Sequence, residues 1–338
     1  MRKASLLLTL AIAGCAAGHA TLASPGCALG LQSVRFNMPD TVRNFATGWH
    51  LAVSIAGGRR RSVQIDTGSI GLVVGRNAIG SSAVGPLASG RQEYTSNGLI
   101  LLGHYYRVVV TFESTGSRAV TVPITILGVE KLACDPKYPK CSISKRSAQS
   151  VGVLGVGFGR KEKIGSNPFL QIDGMVRASM HPGYVVSKNG VTLGLTAENT
   201  RGFRFIPLIR SGGDWRGAPG CFGFPGRPGY ERVCGTILVD TGIPSMIVSR
   251  AAALRPPDLK TDIPAGTAVA IAAPAFDNAV VSYRFSVGDR GALTPSAMRW
   301  SKATRDNAFV NTGRNVIRTS DYLYDARCGR IGFRANNS

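Results

Sequence analysis

Acidic residues are scarce in this chain: 19 Asp and Glu stand against 40 Lys and Arg, for a net charge of +21. Histidine is scarcer still, at four residues. A serine or cysteine hydrolase needs a base, and beyond the N-terminal segment only His50, His104 and His181 could supply one. No Gly-x-Ser-x-Gly accompanies them. His-Glu-x-x-His, Cys-x-x-Cys and Walker A patterns are missing too, so no metal-ligand spacing is present and no cofactor is expected. Gly155-Val156-Gly157-Phe158-Gly159 has the flavour of a nucleotide loop but lacks its full spacing and an immediate helix; strand-end glycines account for it better.

Long apolar runs are absent beyond the first residues. Met1-Arg2-Lys3 precedes a largely apolar run from Ala4 to Ala13, too short for a bilayer span, which needs about 20 residues. The pattern reads as a secretory signal peptide over residues 1–23. It ends at 14 instead if Ile12-Ala13-Gly14-Cys15 acts as a lipobox and Cys15 is acylated, which would tether the protein to a membrane. An exported monomer is expected, in the periplasm or envelope or secreted. The basic excess does not point to nucleic acid. Arg59-Arg60-Arg61 and Arg160, Lys161, Lys163 are small clusters, the other cations are dispersed, and no recognition motif accompanies them. A solvated basic face is the better account, favouring anionic envelope or acidic polypeptide partners.

Seven cysteines are present, and setting Cys15 aside leaves an even six. They can pair in several ways. Cys134 and Cys141 bracket a Pro-containing loop, and Cys221 and Cys234 a Gly/Pro-rich one; closing both would leave Cys27 for Cys328. Disulfides fit export.

Helix signals are few. Asn167-Pro168 with Phe169, Ile172, Met175 and Val176 reads as one capped amphipathic helix ending before Pro182. Ser249, three Ala and Leu254, stopped by Pro256-Pro257, reads as a second, short one. Brief β-branched or alternating runs fill most of the rest: Trp49–Ile55, Ser62–Ile65, Tyr106–Phe112, Ala119–Leu127, Tyr184–Val186, Thr236–Val239, Val280–Val287 and Ile331–Phe333. The class is mainly β, as barrels or sandwiches.

One pattern repeats. Ser62-Val63-Gln64-Ile65-Asp66-Thr67-Gly68 is answered by Thr236-Ile237-Leu238-Val239-Asp240-Thr241-Gly242, each followed by a second apolar run, over Ile70–Val74 and Ile243–Val248. The domain-sized separation suggests two related lobes. Ionisable Asp residues leaving buried strands are costly to desolvate unless something compensates. If the loops meet, two adjacent carboxylates share one proton. The ionised partner can then deprotonate a water while the protonated one polarises a carbonyl, giving amide hydrolysis without a covalent intermediate.

On these residues the chain resembles the pepsin-like aspartic proteases. Gln64 to Ser69 looks like the first catalytic loop of that family and Val239 to Gly242 like the second. Gly152-Val153-Leu154-Gly155 is similar to the strand completing the first psi-shaped motif, and Asn167 to Gln171 to the short helix after it. Val191-Thr192-Leu193-Gly194 resembles a later first-lobe strand. Gly313, Val316-Ile317-Arg318, Tyr324-Asp325 and Ile331-Gly332-Phe333 resemble the closing strands. The resemblance implies a mainly β, bilobal pepsin-like fold: two β-barrel-like lobes, an interlobe sheet and a few short helices. The expected lobes are 24–202 and 203–338. Because the family's first and last strands share the interlobe sheet, a Cys27–Cys328 link is plausible.

The resemblance also implies roles. Asp66 and Asp240 form the dyad; Thr67 and Thr241 brace the loops; Gly68 and Gly242 let backbone approach the carboxylates; Ser69 bonds Asp66; and Tyr94 is the flap tyrosine on a Gly-tipped hairpin. The chain departs from the family at Ile243, where Ser or Thr is usual, at Val73, where Trp often supports the flap, and at Asn311-Thr312-Gly313, a poor match to the second lobe's strand. The second lobe looks trimmed, and the 42 residues between Ala23 and Asp66 leave no room for an ordinary propeptide. Surrounding cations are expected to lower the dyad's pKa values. The implied activity is that of an aspartic endopeptidase acting on polypeptides. The rival is a catalytically inactive pepsin-fold protein that binds peptides or an envelope partner.

Overall fold

The alternating runs become short strands in the computed structural model, which describes residues 27–160, 166–259, 262–291, 293–301 and 307–336. The signal peptide, Cys15, Lys161 and Lys163 lie outside the described residues. His50–Ile55 alternates half-buried and buried positions along its length, as a strand with one face on a core must. Together with Arg61–Asp66, Ile70–Gly75 and Gly152–Val156 it forms the centre of a nine-stranded sheet. A seven-stranded sheet holds Val233–Leu238, Met246–Ser249 and Ala308–Asn311.

The repeated sequence is a repeated topology. Gly152–Val156 runs parallel to Arg61–Asp66 and antiparallel to Ile70–Gly75. Ala308–Asn311 stands in the same relation to Val233–Leu238 and Met246–Ser249. The weak match at Asn311-Thr312-Gly313 therefore hid a complete second motif: Gly313 accepts from the Asp240 N–H at 3.3 Å.

Between these two sheets lies a six-stranded antiparallel sheet in the order Val34–Asn37, Gly190–Leu193, Gly183–Ser187, Ser320–Asp325, Arg330–Ala335, Arg204–Pro207. The fold is mainly β and bilobal. The first and last strands of the described residues, Val34–Asn37 and Arg330–Ala335, both lie in this connecting sheet, and the Cys27–Cys328 bond links the chain just outside them; Cys134–Cys141 and Cys221–Cys234 close the two short loops. Three disulfides suit an exported protein. Among the described residues no helix is long and apolar enough to cross a membrane.

Several local expectations are corrected. The helix expected after Asn167 is two pieces, a 3-10 turn over Pro168–Gln171 and one α turn over Asp173–Val176. Ile172 between them is extended and bridges to Thr121, so an outside pairing breaks the helix. Ser249 ends a strand, and only Ala252–Leu254 coils. Val316-Ile317-Arg318 sits in a 3-10 turn, not a strand. Tyr106–Phe112 divides at Val109 into Leu99–Val108 and Val110–Ser114. Ala119–Leu127 divides into Ser117–Val120 and Ile124–Cys134, the gap holding Pro123, which has no N–H for the ladder. A helix over Thr41–Thr47 is unforeseen; the Asp40 carboxylate caps it, accepting from the Arg43 N–H at 2.9 Å.

Candidate active site

Each Asp-Thr-Gly follows a strand into the interface between the lobes, and the threonines lock the two loops together. The Thr67 N–H donates to Thr241 Oγ1 and the Thr241 N–H to Thr67 Oγ1, both at 3.1 Å. Each hydroxyl then crosses to the opposite strand, Thr67 to the Val239 carbonyl at 2.6 Å and Thr241 to the Ile65 carbonyl at 2.7 Å. Both side chains are buried, so these bonds are sheltered from water.

This lock brings the buried Asp66 and Asp240 together. The glycines are required by the close approach of the opposite carboxylate. A Cβ on Gly242 would lie 2.6 Å from Asp66 Oδ1, and one on Gly68 would collide with the Asp240 carboxyl. Their amides serve the carboxylates directly: Gly68 N–H to Asp66 Oδ1 at 2.7 Å and Gly242 N–H to Asp240 Oδ1 at 2.9 Å. Ser69 Oγ donates to Asp66 Oδ2 at 2.6 Å.

On Asp240 the corresponding bond comes from elsewhere. Ile243 has no donor, and Asn311 Nδ2 donates to Asp240 Oδ2 at 2.5 Å, while Asn311 Oδ1 accepts from the Gly313 N–H at 2.9 Å. Asn311 pairs with Leu238 as Val153 pairs with Gln64, so the two are equivalent positions of the two motifs. Two more residues contribute in ways their local sequence does not reveal. The Gly242 carbonyl accepts from Gln64 Nε2 and from Arg314 Nη2, each at 3.0 Å. Arg314 is almost fully enclosed; burial lowers its affinity for its proton, and the Asp240 and Asp66 charges oppose that. The only sequence signal was position: Gln64 stands two residues before Asp66 and Arg314 directly after Gly313.

Electrostatics acts strongly on Asp240. Burial, then the charge of Asp66, raises Asp240 from 3.8 to about 7, against the opposing pull of Asn311 and Arg160. The expected lowering by surrounding cations is thus corrected: Arg160 acts in that direction, but desolvation outweighs it.

Above the carboxyls stands the hairpin of Ser89–Tyr94 and Leu99–Val108, turning at residues 95–98. Tyr94 lines the cleft with both Asp residues. It also packs on a small core of Val73, Leu99, Leu101, Leu127, Val129 and Leu132, so Val73 supports the hairpin where a larger residue was expected. Cys134 pairs with Leu99, and the Asp135 N–H donates to the Gly98 carbonyl at 2.8 Å, so the Cys134–Cys141 loop buttresses the turn. From the other lobe Arg299 Nη2 donates to the Ser96 carbonyl.

Among the described residues, His181, Asp325 and Cys328 form a grouping with metal-ligand atom types. The Cys328 sulfur is in a disulfide, and Asp325 accepts from Arg330 and bonds His181 at 2.7 Å, so these atoms are already engaged with one another and with Arg330.

Two facing Asp-Thr-Gly loops, interlocked threonines and a hairpin above them, on two psi motifs joined by a central sheet, define the pepsin-like aspartic proteinase fold. The crystal structure of an aspartic proteinase from Irpex lacteus superposes with a TM-score of 0.56 at 11% identity, covering 90% of this chain and 97% of that one. The family model of the PE-PGRS C-terminal aspartyl peptidase-like domain matches residues 38–200, a stretch that includes Asp66 and Tyr94 and stops short of Asp240. No curated protein sequence matches the chain.

Proposed function

We propose that this protein is an exported aspartic endopeptidase using Asp66 and Asp240 as a one-proton dyad. The observation that carries the reading is the paired environment of the two carboxylates. Each accepts a glycine N–H and one side-chain donor, and their loops are locked by reciprocal threonine bonds. Such donors hold carboxylates in place without neutralising them. Asp240, raised to about 7, holds the shared proton; the charge that raises it is that of Asp66.

An extended polypeptide lies in the cleft beneath Tyr94. Asp66 takes a proton from a bound water as its oxygen attacks the scissile carbonyl carbon, and Asp240 gives its proton to the carbonyl oxygen. The tetrahedral diol then collapses: one hydroxyl returns its proton to the dyad, a proton passes to the amide nitrogen, and the C–N bond breaks to give acid and amine. Ser69 and Asn311 fix the two carboxylates through these transfers, and the turn at residues 95–98 excludes water.

The test is cleavage of an unfolded polypeptide by purified mature protein. Activity is expected at acidic to mildly acidic pH, blocked by a statine-type inhibitor, and lost as pH rises through about 7, where Asp240 gives up its proton. Asp66→Asn and Asp240→Asn should each abolish cleavage while the chain stays folded. Cleavage persisting in both variants would sink the dyad; an inert wild type across substrates and pH would favour a peptide-binding protein.

A further inference from the structure

Among the described residues, the charged side chains lining the cleft apart from the dyad are Glu93, Arg146 and Arg160. Glu93 is committed to Arg91 at 2.8 Å. Among the described residues, neither Arg146 nor Arg160 has a carboxylate at ion-pair distance. Arg146 is exposed at the rim. Arg160 is partly enclosed, and its Nε is buried with no hydrogen-bond partner among the described residues. It follows Gly159, whose N–H is fixed to Asp214 Oδ2 at 2.6 Å, on the loop that leaves the strand Gly152–Val156 beside Asp66. Arg160 lines the same cleft as Asp66 and Asp240, and its charge opposes the rise of the Asp240 carboxyl.

A guanidinium taken partly out of water with no carboxylate at ion-pair distance among the described residues is costly, and a carboxylate is the group its planar fork fits best. We propose that Arg160 forms a subsite for a substrate carboxylate next to the scissile bond, with Arg146 drawing acidic polypeptides to the rim. The proposal rests on the endopeptidase reading and adds to it a substrate class. The net charge of +21 acts in the same direction at longer range. The carboxylate can come from an Asp or Glu side chain or from a peptide's C-terminus, two sources with one chemistry.

The experiment uses matched peptides bearing Asp or Asn at each of three positions either side of the cut, each with a free or an amidated C-terminus. At pH 6 the wild type should cleave the Asp member with a kcat/KM roughly 10- to 100-fold higher at one position, the range for a charge-assisted bond. A preference that follows C-terminal amidation instead assigns the subsite to the terminal carboxylate. Arg160→Gln should bring the ratio to about one, and Arg160→Glu should turn it towards Lys-containing peptides. The preference should fade below about pH 4 as the substrate carboxyl protonates, which a purely structural role would not reproduce. Equal cleavage of both members by the wild type overturns the subsite. So does an Arg160→Gln variant whose pH limb moves while its Asp/Asn ratio holds, because Arg160 would then only tune the dyad. The same pairs titrated against Asp66→Asn report binding alone. If no peptide is cut at all, the endopeptidase reading fails, and the subsite still stands or falls on that titration.

Discussion

In the first loop a hydroxyl three residues beyond Asp66 fixes one of its oxygens; in the second, Ile243 cannot, and Asn311 does so from 71 residues beyond Asp240. The exchange was invisible locally. Asn311 is a polar residue where the motif wants an apolar one, and Ile243 an apolar residue where it wants a polar one. Each reads as decay until the fold sets them on the same carboxylate. The pair should therefore be interchangeable with the first lobe's solution of Val153 and Ser69. Asn311→Val is expected to lower kcat roughly 10- to 100-fold, the worth of a hydrogen bond to a charged group. Adding Ile243→Thr should restore much of it, and steady-state kinetics on the double variant decides. Asp240 carries a second prediction. Its carboxyl rises from 3.8 to about 7 on folding, so ionising it opposes folding: the cost is absent below the ordinary value and complete above about 7. Asp240→Asn removes that cost, on the order of a few kcal/mol. The variant should melt well above wild type at pH 8 and level with it near pH 4; equal melting at both would assign the proton elsewhere.

Among the elements, those legible in the sequence were the ones whose neighbours impose nothing unusual. Arg61–Asp66 and Gly183–Ser187 stand within one or two residues of their expected bounds, because a regular strand in a covered sheet obeys its own pattern. The errors fell where distant chain intervened, as at Ile172, which left its helix to bridge Thr121. The Thr41–Thr47 helix was missed for a different reason: Asp40 was a readable cap, but the seven residues after it bury little apart from Asn44 and Phe45. The hairpin bearing Tyr94 shows how one element joins both lobes, because Arg299, on the strand Met298–Trp300, holds its tip at the Ser96 carbonyl. The neighbouring Lys140–Asp262 pair, at 3.6 Å and with both side chains largely exposed, adds little. Arg299→Ala should speed hydrogen exchange at residues 95–99 and raise KM more than it lowers kcat, without a large drop in melting temperature. Unchanged exchange would show that the disulfide loop alone holds the turn.

At the scale of the whole molecule, the connecting sheet bears the join between the lobes, and its buried His181–Asp325 pair is completed by Arg330. Burial pushes the Asp325 carboxyl up, but the bond from His181, the Cys328 N–H and the Arg330 charge together bring it below 3.8. Its contribution is therefore present above the ordinary carboxylate range and is lost only as pH falls through the depressed value. Asp325→Asn should cost about 3–5 kcal/mol at pH 5 to 7, as breaking a buried pair does. Urea unfolding curves of variant and wild type should converge only in strong acid, so the join survives the acidity at which the proposed chemistry runs. The Cys27–Cys328 bond has another consequence, since it spans 301 residues and turns almost the entire chain into a covalent ring. One cut at any backbone position inside a ring releases nothing. If the proposed activity holds, a copy crowded among others can be nicked once by a neighbour and stay a single molecule, its two carboxylates still facing each other.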